Sequence, residues 1–247
     1  MSRRSAVALL LHGFTHTGAS WDPVREALGQ SHPAIAPDIR GHGSAADRQP
    51  VRLEPVLGDL VRAAPERFVL AGYSMGGRLA LHLALAHPRR VRQLVLVGAS
   101  PGIADPAERE ARRLADEQLA TEMEGLDIES FARRWAQTPV LAGASVDVAR
   151  RVHEDRLRNT TAGLSRALRG LGPGTLRPVW DRLGELPMPV TLVVGERDAK
   201  FQAIAQQMAV ALPRAQVLVA PGCGHAVHLE DPGLVARILR GALSSAQ

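Results

Sequence analysis

The sequence predicts an α/β domain with a mostly parallel, doubly wound sheet. Six short, continuously apolar runs recur along the chain, helical patterns separate them, and this rhythm breaks only once, over residues 101–186. The runs are Ala6–Leu11, Ala34–Pro37, Phe68–Ala71, Leu94–Val97, Val190–Val194 and Val217–Ala220. Unbroken apolarity over four to six residues is the pattern of strands covered on both faces, as in a parallel sheet flanked by helices. Helices are expected near Val24–Leu28, Leu53–Ala64, Met75–Ala86, Ile204–Leu212 and Gly233–Ala242. Alternating strand and helix gives the doubly wound arrangement.

The break has its own pattern. Residues 101–186 hold no strand-like run and read as amphipathic, Arg/Glu-rich helices at Pro106–Glu124, Asp127–Ala136, Val146–Leu157 and Leu164–Leu171. Pro173, Pro178, Pro187 and Pro189 punctuate the exit. The expected organisation is a core of residues 1–100 and 187–247 with a helical cap, 101–186, inserted after one core strand.

Composition excludes several functions. The chain has 247 residues, 45% apolar and 22% charged, enough for a substantial core. Its formal charge of +5 is carried by arginine, with Lys200 the single lysine. No Lys/Arg tract or basic patch with interleaved aromatics accompanies it, so no nucleic-acid partner is expected. The opening MSRRSAVALLL imitates a secretion leader, but its apolar stretch is short and runs directly into His12-Gly13-Phe14. No stretch approaches the roughly 18 apolar residues of a membrane span. One cysteine, Cys223, allows no internal disulfide and fits a reducing, cytoplasmic setting.

The chemistry centres on Gly72-Tyr73-Ser74-Met75-Gly76, a G-x-S-x-G between a strand-like and a helix-like run. That strand–turn–helix context defines the nucleophile elbow of an α/β-hydrolase fold, with Ser74 as the serine. A serine hydroxyl needs a base and an orienting acid, which in this fold follow in the order acid, then histidine. Asp198 lies just past one strand candidate and His225 just past another; Glu196 is the weaker alternative acid. His228 is expected to pack nearby, and Cys223 to be a small apolar neighbour of His225. Developing negative charge calls for backbone donors, expected from the Phe14 N–H after the first strand and the Met75 N–H after the serine. Asp38-Ile39-Arg40-Gly41-His42-Gly43 reads as a structural turn lining the floor of the site, with no metal.

The combination LLHGF, GYSMGGRLA, GERDAKF and GHAVHLEDP resembles the family of 2-succinyl-6-hydroxy-2,4-cyclohexadiene-1-carboxylate synthases of menaquinone biosynthesis, over nearly the whole chain. The resemblance implies a lyase without a cofactor, in which the triad promotes proton abstraction from a polycarboxylated cyclohexene and pyruvate leaves. It also implies substrate-binding roles for Tyr73 and Arg78 beside the serine, for Arg112, Trp135 and Arg156 in the cap, and for Lys200 beyond the acid. Guanidinium groups suit a substrate with several carboxylates. One departure points elsewhere: Asp38-Ile39-Arg40-Gly41 has arginine where many of these synthases have proline, a variant common among hydrolases. The alternative function is therefore a carboxylesterase or C–C hydrolase using Ser74 as an acyl nucleophile.

Overall fold

The computed structural model describes residues 6–138 and 145–245. Six parallel strands form one sheet in the order β2-β1-β3-β4-β5-β6. These are β1 (Val7–Leu11), β2 (Ala34–Ile35), β3 (Phe68–Tyr73), β4 (Val91–Val97), β5 (Val190–Gly195) and β6 (Ala215–Ala220). In the parallel register Leu11 faces Gly72, Tyr73 faces Val97 and Gly195 faces Ala220. The carboxyl ends of β1, β3, β4, β5 and β6 therefore lie along one edge.

Side chains alternate across the sheet because the strand period is two residues. Leu9, Leu11, Leu70 and Leu192 join one buried cluster, with Leu60 of α2 (Leu53–Ala63), Leu79 of α3 (Met75–Ala86) and Met208 of α8, the helix Ala199–Ala211 that follows β5. Ala8, Leu10, Val69 and Val95 join the other, with Val24 of α1 (Asp22–Leu28) and Leu239 of α10, the C-terminal helix Pro232–Ser245. The chain winds from β1 out to β2 and back to β3, so the order reverses between β1 and β3. Such a switch point separates the loops leaving the strands and opens a crevice there.

The expectation of burial on both faces holds for the four inner strands and fails at the edges. β6 is only partly covered, with Val219 45% exposed, and β2 shortens to two half-buried residues. Edge strands lack a neighbour on one side, and apolar composition alone does not distinguish them.

Between β4 and β5 lie the helices α4 (Pro106–Glu124), α5 (Ile128–Trp135), α6 (Val146–Arg156) and α7 (Thr161–Leu171). Asp105, Asp127, Ser145 and Thr160 begin them, each accepting a hydrogen bond from a first-turn N–H. Ala120, Met123, Phe131, Leu164 and Leu168 form their shared core. The Thr160 cap starts α7 three residues earlier than the apolar period suggests. Likewise α8 starts at Ala199, because the Asp198 carboxylate accepts the Phe201 N–H at 3.3 Å.

Candidate active site

The elbow forms because glycine occupies the two places where a side chain cannot fit. A Cβ on Gly72 would lie 2.4 Å from the Gly76 carbonyl oxygen, and one on Gly76 only 2.2 Å from that of Leu11. Between them Ser74 takes φ 51° and ψ −108°, a left-handed conformation that costs a non-glycine residue on the order of 1–3 kcal/mol. Its N–H is held by the Val97 carbonyl at 2.9 Å. The strain is thus maintained by the sheet on one side and α3 on the other.

Ser74, His225 and Asp198 meet across three separate strand ends. His225 Nε2 lies 3.2 Å from Ser74 Oγ, and His225 Nδ1 lies 2.7 Å from Asp198 Oδ2. With Nδ1–H donated to the carboxylate, Nε2 is free to take the serine proton. Glu196 turns away and accepts the Gly222 N–H at 2.7 Å. Gly98, at φ 52°, leaves room for the imidazole: a Cβ there would come within 2.8 Å of the His225 ring. Glu230, on α9 (Val227–Glu230), accepts the Gly224 N–H at 2.9 Å and pairs with Arg197, which fixes the histidine loop. The Phe201 ring sits 4.4 Å from that of His225.

Around this series the other expected residues fall into unequal groups. Tyr73 is buried, its ring 5.3 Å from His225 and 4.2 Å from His228, and burial pushes its hydroxyl pKa up. Arg156 is 2% exposed; its Nε donates to Thr15 Oγ1 at 3.3 Å, while its buried Nη2 has no partner among the described residues. Arg78 donates weakly to the Leu171 carbonyl at 3.4 Å, and its buried Nε likewise has none. Burial pulls both guanidinium pKa values down to about 10, so both remain charged at neutral pH. Trp135 stacks on Phe131 and meets the Phe14 ring edge-on at 5.4 Å, joining the helical segment to the loop after β1.

Arg112 and Lys200 are different. The Arg112 side chain is about half exposed and donates to Asp116 at 2.7 Å, one helical turn on. Lys200 is exposed on the first turn of α8, its ammonium 6.0 Å from the Phe201 ring centre.

The floor is built from neutral histidines. His12 Nδ1 donates to the Gly13 carbonyl at 2.9 Å, and Nε2 accepts the Ile39 N–H at 2.9 Å. Burial lowers its pKa to about 4 and that of His42 to about 3. Asp38 accepts from Gly18 and Ser44, while Arg40 forks onto Asp59 at 2.7 and 3.1 Å. These contacts give the Asp38–Gly43 turn a structural role, and the described residues contain no cluster of three or more potential metal ligands. His228 is fully buried between Trp21 and Tyr73, and Cys223 is buried among apolar neighbours.

One feature was invisible in the sequence. Thr15, buried and β-branched, has φ 68°. It sits third in the turn Gly13-Phe14-Thr15-His16, closed by the His16 N–H on the Gly13 carbonyl at 3.2 Å. That position in a type II turn favours glycine. Asp155 and Asn159 of the helical segment bond to the same loop, a role for which one Asp or Asn among many polar residues carries no sequence signal.

A fold of six parallel strands with a strained serine elbow and a hydroxyl–imidazole–carboxylate series defines a class. The family model described as alpha/beta hydrolase matches residues 8–238, and the chain belongs to that family, in the branch of the synthases described next. A 2-succinyl-6-hydroxy-2,4-cyclohexadiene-1-carboxylate synthase of Enterobacter sp. (strain 638) is 32% identical, over 94% of this chain and 89% of its own length. A protein of Bacillus subtilis (strain 168), given the same name provisionally, is 35% identical over 98% and 91%. The solved structure of MenH from S. aureus superposes with a TM-score of 0.92 at 28% identity, covering 99% of this chain and 96% of that one.

Proposed function

We propose that this protein is a cofactor-free lyase of menaquinone biosynthesis that expels pyruvate from a polycarboxylated cyclohexene, with Ser74, His225 and Asp198 acting together as the base. The single observation that favours this over ester hydrolysis is the pair of buried guanidiniums, Arg78 and Arg156, each with a nitrogen lacking a hydrogen-bond partner among the described residues. Asp116 and Asp155 lie near enough to attract these cations, but neither arginine makes an ion pair among the described residues. Burying such a cation is costly, and an anionic ligand would offset that cost. The product named for the relatives carries a ring carboxylate and a succinyl carboxylate.

In this reading residues 101–186 act as a cap, and Arg78 and Arg156 orient the substrate's carboxylates, with Tyr73 and Trp135 packing on the ring. Arg112 and Lys200 lie further out and contribute to attracting the anion. Ser74 Oγ, its own proton passed to His225 Nε2, takes the proton from the ring carbon acidified by the succinyl carbonyl. The C–H electron pair moves onto that carbonyl as an enolate, held by the Phe14 and Met75 N–H groups. Its collapse makes a new ring C=C and breaks the C–O bond to the pyruvate-derived group. That group leaves with the electron pair as an enolate and takes the proton held on His225, giving pyruvate and restoring the neutral imidazole. A small carboxylated molecule is the only partner this requires, and the reducing cytosol is the setting that the single buried cysteine favours.

The experiment is pyruvate release from the family substrate, run beside p-nitrophenyl acetate with one enzyme preparation. Pyruvate released at ordinary enzymatic rates, about 1–10³ per second, is expected. Ester turnover in that range with no pyruvate would establish the hydrolase alternative instead.

A further inference from the structure

The C-terminal end of α6 and the residues after it make a dense set of bonds to the short loop after β1, with one more to the loop after β2. Asp155 Oδ2 accepts from His16 Nδ1 at 3.1 Å and from the Thr17 N–H at 3.0 Å, and its Oδ1 accepts from the Thr17 hydroxyl. Asn159 Nδ2 donates to the Thr15 carbonyl at 3.0 Å, and its Oδ1 accepts the Gly43 N–H at 3.0 Å. Both residues are buried, at 6% and 4% exposure. All of these bonds cross from the helical segment to the core, over sequence separations above one hundred residues.

The loop they grip is the one that needs holding. A β-branched residue at φ 68° relaxes toward negative φ unless its surroundings fix it. Rotation at Thr15 would turn the peptide groups of the Gly13–His16 turn, and the Phe14 N–H belongs to that turn. We infer that Asp155 and Asn159 are positioning residues, which hold Thr15 in its left-handed conformation and so aim the Phe14 N–H at the oxygen stabilised beside Ser74. The anion-stabilising donor is then complete only while this end of α6 is seated on the core, which makes the helical segment part of the catalytic geometry as well as a cover. The inference rests on the Phe14 N–H serving as an anion donor in the proposed reaction, a role that ester hydrolysis by the same serine would share.

The test uses the full chain with Asn159→Ala, Asp155→Asn and, as a control on the same helix, Arg150→Ala, which removes only an exposed ion pair with Glu154. Two readouts are taken well below each variant's Tm: affinity for phenylboronic acid, whose adduct with a serine places an oxygen in the anion site, and kcat and KM on both the family substrate and p-nitrophenyl acetate. Removing one anion donor outright costs about 10²–10³ in kcat, so misaiming it is expected to cost about 10–100-fold. Asn159→Ala should lose that much in kcat and in boronate affinity with KM within about threefold, and Arg150→Ala should match the wild type. Adding Thr15→Gly to Asn159→Ala should restore part of both losses, because glycine takes positive φ without being held. The inference is overturned by losses below threefold, by an equal loss in Arg150→Ala, by absence of rescue, or by a wild type that does not bind the boronate. Failure of the lyase reading looks different: the wild type then releases no pyruvate, while the variants' defect persists on the ester and the boronate.

Discussion

The elbow and the helical segment meet at the same site but are built on opposite terms. Around Ser74 every strained feature is held by backbone: glycines clear the turn, Val97 fixes the serine N–H, and His225 and Asp198 hang from strand ends whose register is set by the sheet. The helical segment instead contributes charge and side-chain hydrogen bonds: Arg156 with a nitrogen unpaired among the described residues, Asp155 with three donors, and Asn159 bridging two loops. The first region has rigidity and makes a proton-relay geometry shared by many enzymes. The second carries the electrostatic cost of a buried cation, Arg156, and so has the means to bias which molecule reacts. Changes in the two regions should therefore separate the chemical step from substrate choice.

The largest effect should come from the elbow side. His225→Ala is expected to lower kcat on every substrate by about 10²–10⁴, the contribution of a positioned general base, with the fold intact by circular dichroism. An activity loss confined to carboxylated substrates would break the contrast. Arg156→Ala should then cost about 1.5–3 kcal/mol in kcat/KM on the carboxylated substrate through the lost charged hydrogen bond. On a neutral ester only the smaller effect of its Thr15 contact should remain.

The same arginine gives a stability prediction of opposite sign. Replacing a buried ion by an apolar side chain of similar size is often neutral or stabilising by about 1–4 kcal/mol. Arg156→Met should therefore keep or raise Tm while activity falls, and a marked drop in Tm would mean that the charge is already compensated. Acid should act through Asp155. Burial alone would raise its pKa, but the His16 bond and charge and the two Thr17 donors outweigh it and bring it from 3.8 to about 2. A carboxylate depressed on folding adds stability above its unfolded pKa, lost as pH falls through the folded value. That contribution, on the order of 2 kcal/mol, should disappear between about pH 4 and pH 2 in the wild type. Over that window Asp155→Asn should show a flatter Tm profile. The smallest effect is expected from Arg112→Ala, which removes a half-exposed ion pair with Asp116 and should change stability by less than about 1 kcal/mol.

What the sequence made legible follows the same division. Parallel strands and the elbow were readable because apolar runs and G-x-S-x-G express backbone requirements directly. Asp198 and His225 could be placed from the ends of strands alone. The edge strands were not separable from inner ones, since composition does not report a missing neighbour. The early starts of α7 and α8 lay with single capping side chains, Thr160 and Asp198, outside the apolar period. Thr15 was illegible for a stronger reason: its conformation contradicts its own preference and is imposed by residues 140 or more positions away. Arg112 and Arg156 were indistinguishable in so arginine-rich a chain, and only burial separates them.

The central claim is that Ser74 serves as a base toward carbon and does not form an ester. The measurement that reaches it most directly is pyruvate release from substrate carrying deuterium at the ring carbon that loses its proton, compared with the ordinary substrate in kcat/KM. The account predicts a primary kinetic isotope effect and an unmodified Ser74 by mass spectrometry during turnover. Equal rates for the two substrates, with a covalent adduct on Ser74, would contradict it.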